Sequence, residues 1–153
     1  MDMKIEEIPS YRIAYIRRFG AYGAVNMKIM SKLKAWAESK DLLYDEKAIL
    51  LAIAHDNPEI TIPENCRYDA CIVLSDEYKI DDDSQVSIGE ISNGKYAVFK
   101  IKHTAEEIQK IWNEAIPYLL NNGLHIDKTK PMFERYIVEM LNNHYCEFCV
   151  PLC

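Results

Sequence analysis

The hydrophobic positions run through one arrangement twice. Tyr11 to Phe19 alternates apolar and polar residues with a period of two, the mark of a half-buried strand. Gly20 and Gly23 break that run. From Ala24 to Lys40 the apolar residues move to helical spacing, with Val25, Ile29, Leu33 and Trp36 on one stripe and Met30 and Ala37 beside it. Lys47 to Ala54 is an apolar run of strand length. His55-Asp56-Asn57-Pro58 is a turn signal, Pro63 lies in the loop that follows, and Arg67 to Leu74 reads as the next strand.

Beyond the acidic stretch Asp81-Asp82-Asp83-Ser84 the pattern returns. Val86 to Ile91 is a short strand, and Ser92-Asn93-Gly94-Lys95 reads as a hairpin turn leading into a strand from Lys95 to Lys102. Thr104 with Glu107 forms a capping box at the start of a helix. Ile108, Ile111, Trp112, Ala115 and Leu119 make its buried face, Pro117 is expected to bend it, and Gly123 ends it. Met132 to Ile137 and Tyr145 to Val150 are the last strands. Tyr15, before the first helix, reads as the counterpart of Phe99, before the second. Each half, about residues 1–78 and about 84–153, is a strand–helix–strand–strand unit too small to stand alone. The expected fold is α+β over a single domain of residues 1–153. Its quasi-two-fold halves form one antiparallel-rich sheet crossed by two helices, with a ligand groove expected at the seam.

Composition narrows the partners. Hydrophobic residues make up 49% of the 153 and charged residues 27%, a globular balance with no run long enough to span a membrane. Met1-Asp2-Met3-Lys4 lacks the signature of a signal peptide, so a cytoplasmic location is expected. A formal net charge of -6 argues against direct nucleic-acid binding, and strand alternation sets Arg17 opposite Arg12 and Arg18. The five cysteines are expected to be reduced. Cys146 and Cys149 form a CxxC on a strand, which points them to opposite faces, so no metal or cofactor site is expected from them. The three adjacent aspartates lack calcium-loop spacing and read as a solvated turn.

One strand carries the candidate chemistry. In Met132–Ile137 alternation sets Met132, Glu134 and Tyr136 on one face and Phe133, Arg135 and Ile137 on the other. Glu134 is either a solvated surface acid or a buried charge that needs a partner or a proton. A cationic ligand would supply the partner. Tyr15, Trp36, Phe99, Trp112, Tyr136, Tyr145 and Phe148 all fall on elements. They serve as core or as an aromatic wall suited to a flat, lipophilic cation. Met30 adds an adaptable surface. GxSxG, HExxH, P-loop and GxGxxG motifs are absent. Glu134 with Tyr136 would be the acid–base pair of any catalysis.

Four segments then resemble a known family. They are His55-Asp56-Asn57-Pro58 with the Arg67-Tyr68-Asp69 strand opening, Gly94-Lys95-Tyr96-Ala97-Val98, Trp112 in the second helix, and Phe133-Glu134-Arg135-Tyr136. In order and spacing they resemble the GyrI-like small-molecule-binding family. The same module is the effector-binding half of some AraC-type and MerR-type multidrug-responsive regulators. The resemblance covers nearly the whole chain and implies the fold expected above. It also implies a pocket for bulky, often cationic, lipophilic compounds around a central glutamate, a role that falls on Glu134. Tyr136 and Met30 match pocket-lining positions and Tyr145 matches loosely. Tyr15, Phe99, Trp112 and Phe148 complete the expected ligand-binding set. No helix-turn-helix precedes the module, so the chain is not expected to read DNA. Stand-alone members of the family are described as gyrase inhibitors, drug-sequestering proteins or hydrolases of reactive natural products. Small-molecule binding is therefore the first reading, with DNA gyrase as a partner and hydrolysis as the alternatives.

Overall fold

The structure is a computed structural model that describes residues 1–79 and 85–153; the expected acidic turn Asp81-Asp82-Asp83-Ser84 lies outside them. In chain order the elements are β1 (Met3–Ile8), β2 (Tyr11–Phe19), α1 (Val25–Ser39), β3 (Ile49–Ala54), β4 (Arg67–Leu74), β5 (Ser87–Ile91), β6 (Gly94–Lys102), α2 (Ala105–Asn121), β7 (Phe133–Ile137), α3 (Val138–Asn142) and β8 (Tyr145–Pro151). A short 3-10 turn sits at Pro63–Asn65. The two long helices and seven of these strands follow the periodicities of the sequence. The added elements are β1, whose adjacent Glu6 and Glu7 break its alternation, and the five-residue α3.

All eight strands join one antiparallel sheet in the order β1-β6-β8-β7-β3-β4-β2-β5. Read from either end, the order meets matching strands of the two halves: β1 with β5, β6 with β2, β8 with β4, β7 with β3. The quasi-two-fold relation is therefore present, and the halves have exchanged their leading strands. β1 bonds to β6 of the second half, and β5 bonds to β2 of the first.

This exchange overturns the hairpin expected at Ser92-Asn93-Gly94-Lys95, because β5 and β6 lie far apart in the sheet order. Gly94 also lies outside the left-handed region that an Asn-Gly hairpin uses. Pairing with β2 buries Ile91, and this tertiary gain outweighs the local turn preference.

The exchange also dictates curvature. In a flat sheet β1 and β2 would lie about 29 Å apart at ~4.8 Å per strand. Pro9-Ser10 alone joins them, and such a link reaches only about 10 Å. The sheet must curl until its ends approach. The Asn93 N–H donates to Ser10 Oγ at 3.0 Å, so the two crossing links meet. All eight strands then contribute to one core on the helix-free face, including Ile8, Tyr11, Ile53, Tyr96, Phe133 and Cys149. On the other face α1 packs Leu33, Trp36 and Ala37 over Ala14, Leu50 and Ala70, and α2 packs Ile111, Ala115 and Leu119 over Ala97, Phe148 and Val150.

Local signals hold at α2. Thr104 Oγ1 accepts from the Glu107 N–H at 3.1 Å, and Gly123 at φ 76° ends the helix while the Leu124 N–H donates to the Leu119 carbonyl. The five cysteines form no disulfide.

The match of Tyr15 with Phe99 is off by one residue. Ile8 faces Gly94 in one edge pairing and Ile91 faces Tyr11 in the other. Exchanging the halves therefore superposes Tyr11 on Gly94, Tyr15 on Val98 and Ile16 on Phe99. Tyr15 packs against the helix-free core and Phe99 lies under α2. A one-residue slip reverses the face, which is why aromatic matching misled.

Candidate functional site

The halves meet at β3 and β7. Tyr15 faces Cys71 and its counterpart Val98 faces Cys149. Cys71 faces Leu51, and Cys149 faces Phe133. Leu51 and Phe133 are thus counterparts, and one residue further on so are Ala52 and Glu134. Ala52 and Glu134 also face each other directly across β3 and β7. The quasi-two-fold axis passes between them, with an acid on one side and a methyl group on the other.

Glu134 lies on the helix-bearing face. Tyr136 packs with the α1 cluster and Met132 with the α2 cluster, so Glu134 sits in the seam between the two helices. It is half-buried. Trp112 Nε1–H donates to Glu134 Oε1 at 3.4 Å, a long and weak bond, and Tyr136, on the same strand face, also favours the ionised carboxylate. The Trp112 ring rests on Phe148 at 4.6 Å between centroids, and Phe148 is the β8 residue opposite Glu134. Burial pushes the Glu134 carboxyl above its ordinary range, against the lowering pull of Trp112 and Tyr136.

Glu134 has no ion-pair partner among the described residues. The fully buried acids behave differently. Asp69 holds Arg17 at 2.8 Å and His55 at 2.7 Å. Glu147 holds Arg135 at 2.9 Å, and Arg135 also binds Glu6 and the Tyr11 hydroxyl. Asp69 and Glu147 are themselves counterparts, each two residues before the matched cysteines. The fold therefore supplies cations to its other buried carboxylates and leaves the one on the axis without one.

The structure divides the expected site residues. Trp112, Tyr136 and Phe148 gather at Glu134, with Phe148 buried as support for Trp112. Met30 packs on the α1 cluster that includes Tyr136. Tyr15 lies on the opposite face, beneath the Arg17 guanidinium. Phe99 and Tyr145 line a separate groove of about 380 Å³ beside α2, with Ile101, Ile111 and Lys100. None of Glu134, Trp112 or Tyr136 lines that groove.

Sequence reasoning missed several neighbours of Glu134. Tyr68 on β4 is buried and close enough that the Glu134 charge helps hold its hydroxyl un-ionised, after burial itself. The Cys146 thiol is pushed up to about 12 by burial and then by Glu134. The His103 ring meets the Tyr136 ring edge-on at 5.4 Å. Alternation placed Tyr68 and Cys146 on their faces. Their approach to Glu134 depends on strand order, which alternation does not carry. Among the described residues no group of three His, Cys, Asp or Glu side chains could hold a metal ion. No described helix is long and apolar enough to cross a membrane.

A curled antiparallel sheet of two exchanged halves, with long helices flanking an aromatic seam, has the form of a small-molecule-binding domain. The chain belongs to the GyrI-like family: the model of the GyrI-like small molecule binding domain matches residues 1–152. It is 37% identical over 153 residues, covering 99% of both chains, to the SPbeta prophage-derived protein YosT of Bacillus subtilis strain 168, which is named as a transcriptional regulator. It is 25% identical over 138 residues to the DNA gyrase inhibitor of Escherichia coli K12, covering 90% of this chain and 86% of that one. Its fold is similar to that of SAV2435 bound to tetraphenylphosphonium, with a TM-score of 0.63 and 14% identity, over 100% of this chain and 94% of the other.

Proposed function

We propose that this domain binds lipophilic cations at the seam. Glu134 supplies the counter-charge, and Trp112, Tyr136 and Tyr68 supply aromatic contact. The observation that carries this reading is the absence of any cation on Glu134 among the described residues, when Asp69 and Glu147 both have one. A cation about 4 Å away would contribute roughly 4 kcal/mol at an effective dielectric near 20, before desolvation. Ring faces and apolar burial add the remainder. SAV2435, of similar fold, has been seen with a permanent lipophilic cation, which recommends that cation as the probe.

The test is calorimetric titration with tetraphenylphosphonium. Glu134→Gln should weaken binding at least tenfold, and equal affinity of variant and wild type would reject the charge pairing. Unchanged ligand should be recovered from the complex; conversion would favour the hydrolytic reading. The name of the Escherichia coli relative supports a second reading, docking on DNA gyrase, with which the net charge of -6 is compatible. A supercoiling assay with and without a molar excess of the protein separates the two.

A further inference from the structure

The groove beside α2 lies where the two halves differ. Exchanging the halves carries Val98 onto Tyr15, so Lys100, Ile101 and Lys102 of β6 superpose on Arg17, Arg18 and Phe19 of β2, and Tyr145 superposes on Arg67. In the first half three of these positions hold arginines, and all three are engaged. Arg17 donates to Asp69 in two hydrogen bonds of 2.8 and 2.9 Å. Arg18 reaches from β2 to the start of α1, donating to the Asn26 side chain at 2.9 Å and to the Ala21 carbonyl at 2.8 Å. Arg67 binds Asp56. In the second half Ile101 ends in methyl groups and makes no such bridge to α2. The space between β6 and α2 stays open, with a volume of about 380 Å³. β1 does not fill it, because its pairing with β6 stops at Met3, opposite Phe99.

Lys100 stands directly opposite Glu147 in the register of β6 and β8, yet Glu147 is held by Arg135 at 2.9 Å. The Lys100 ammonium lies instead 4.5 Å from the centre of the Tyr145 ring, in the groove. Lys102 and Lys110 also line the groove, and so do Asp2, Glu107 and Glu114. None of these six charged residues makes an ion pair among the described residues. The buried Phe99 and Ile111, with Ile101, supply an apolar floor. A simple anion would be drawn to the lysines and repelled by the acids, and a simple cation the reverse. A molecule with one charge of each sign on an apolar body answers both, and the volume lies in the usual range of small-ligand sites. We propose that this groove is a second binding site, for a zwitterion with an apolar side chain: an α-amino acid or a short peptide with free ends. Lys100 takes the carboxylate from its seat on Tyr145, Glu107 or Glu114 takes the ammonium, and the floor takes the side chain.

Titration of the ¹⁵N-labelled protein with L-phenylalanine, followed by amide chemical shifts, tests this. The amides of Lys100, Ile101, Lys102 and Tyr145 should shift, while the Trp112 indole N–H at Glu134 stays in place. L-Phenylalaninamide lacks the carboxylate and N-acetyl-L-phenylalanine lacks the ammonium, and each should bind about fivefold more weakly. Lys100 is exposed, so Lys100→Gln should fold normally. It should remove the preference over the amide and leave the amide's own affinity unchanged. Ile101→Arg installs the first-half residue and should close the groove to all three compounds. Glu134→Gln should change none of these values, which separates this site from the seam. L-Alanyl-L-phenylalanine distinguishes the two sources: tighter binding than phenylalanine assigns peptides, and weaker binding assigns free amino acids. The proposal is overturned by an absence of shifts in saturated phenylalanine, or by shifts centred on Trp112 and Tyr136. Equal binding of the three phenylalanine compounds overturns it too, as does an equal loss for phenylalanine and its amide in Lys100→Gln.

Discussion

Glu134 and Ala52 face each other across β7 and β3, and each is also the other's counterpart when the halves are exchanged. A residue pair on such an axis need not be identical in the two halves. Here one half contributes the charge and the other the smallest side chain that keeps a Cβ. Ala52→Leu should therefore push against Tyr136 and Tyr68 on the same cluster. The expected cost is about 1–3 kcal/mol in chemical denaturation, with at least tenfold weaker tetraphenylphosphonium binding. Unaltered binding would place the ligand elsewhere.

Glu134→Gln should make the free protein more stable. Burial raises the Glu134 carboxyl, so the folded protein holds that proton more tightly than the unfolded chain does. Its contribution is most favourable below the ordinary value of 4.5 and declines as pH rises toward the raised folded value. The glutamine variant lacks this decline. The stability gap in favour of Glu134→Gln should open above pH 4.5 and level off once pH has passed the raised folded value. Thermal melts of both proteins from pH 4 to 8 check the sign, and a gap that opened on acidification would contradict it.

Arg135 should behave in the opposite way. It is buried and ties β7 to Glu147 on β8, to Glu6 on β1 and to Tyr11 on β2, closing the curled face. Arg135→Met leaves the buried Glu147 unpaired and should cost about 3–5 kcal/mol. The Glu6 carboxyl is held below its usual range, first by its hydrogen bond to Arg135. Its stabilising contribution is present above the unfolded value and lost as pH falls through the folded one. Wild-type stability should fall below about pH 4, and Arg135→Met should lose part of that acid slope in urea titrations.

The two tryptophans report on different places. Trp112 touches Glu134, whereas Trp36 is buried under α1. Ligand-dependent quenching should persist in Trp36→Phe and vanish in Trp112→Phe. The second variant keeps the ring on Phe148 and loses the N–H donor, so its affinity should fall only about threefold to tenfold. Quenching that followed Trp36 instead would move the site away from Trp112, to the packing between α1 and the sheet.

Much of the fold was legible along the chain because period and capping are local properties. The alternation of β2 and β7, the helical stripes of α1 and α2, the Thr104 cap and the Gly123 stop all follow from residues within a few positions of each other. The common face of Glu134 and Tyr136 did as well, since alternation alone sets it.

Strand order was not legible, and with it went the parts of the site that depend on neighbours. The Asn93-Gly94 pair carries a strong hairpin signal, yet β5 pairs with β2, and β6 with β1 and β8, all far from them in the chain. Tyr15 and Phe99 looked alike in sequence and lie on opposite faces, because a single residue of register reverses a side chain. The want of a cation on Glu134 among the described residues, the approach of Tyr68 and Cys146, and the contact of the His103 ring with Tyr136 all arise where separate segments meet. Sequence by itself determined that an acid stands on an apolar strand within a repeated α+β pattern. Only the tertiary structure decided that this acid lies on the axis between the halves with no counter-charge among the described residues, since pairing across a sheet is set by the whole chain folding at once.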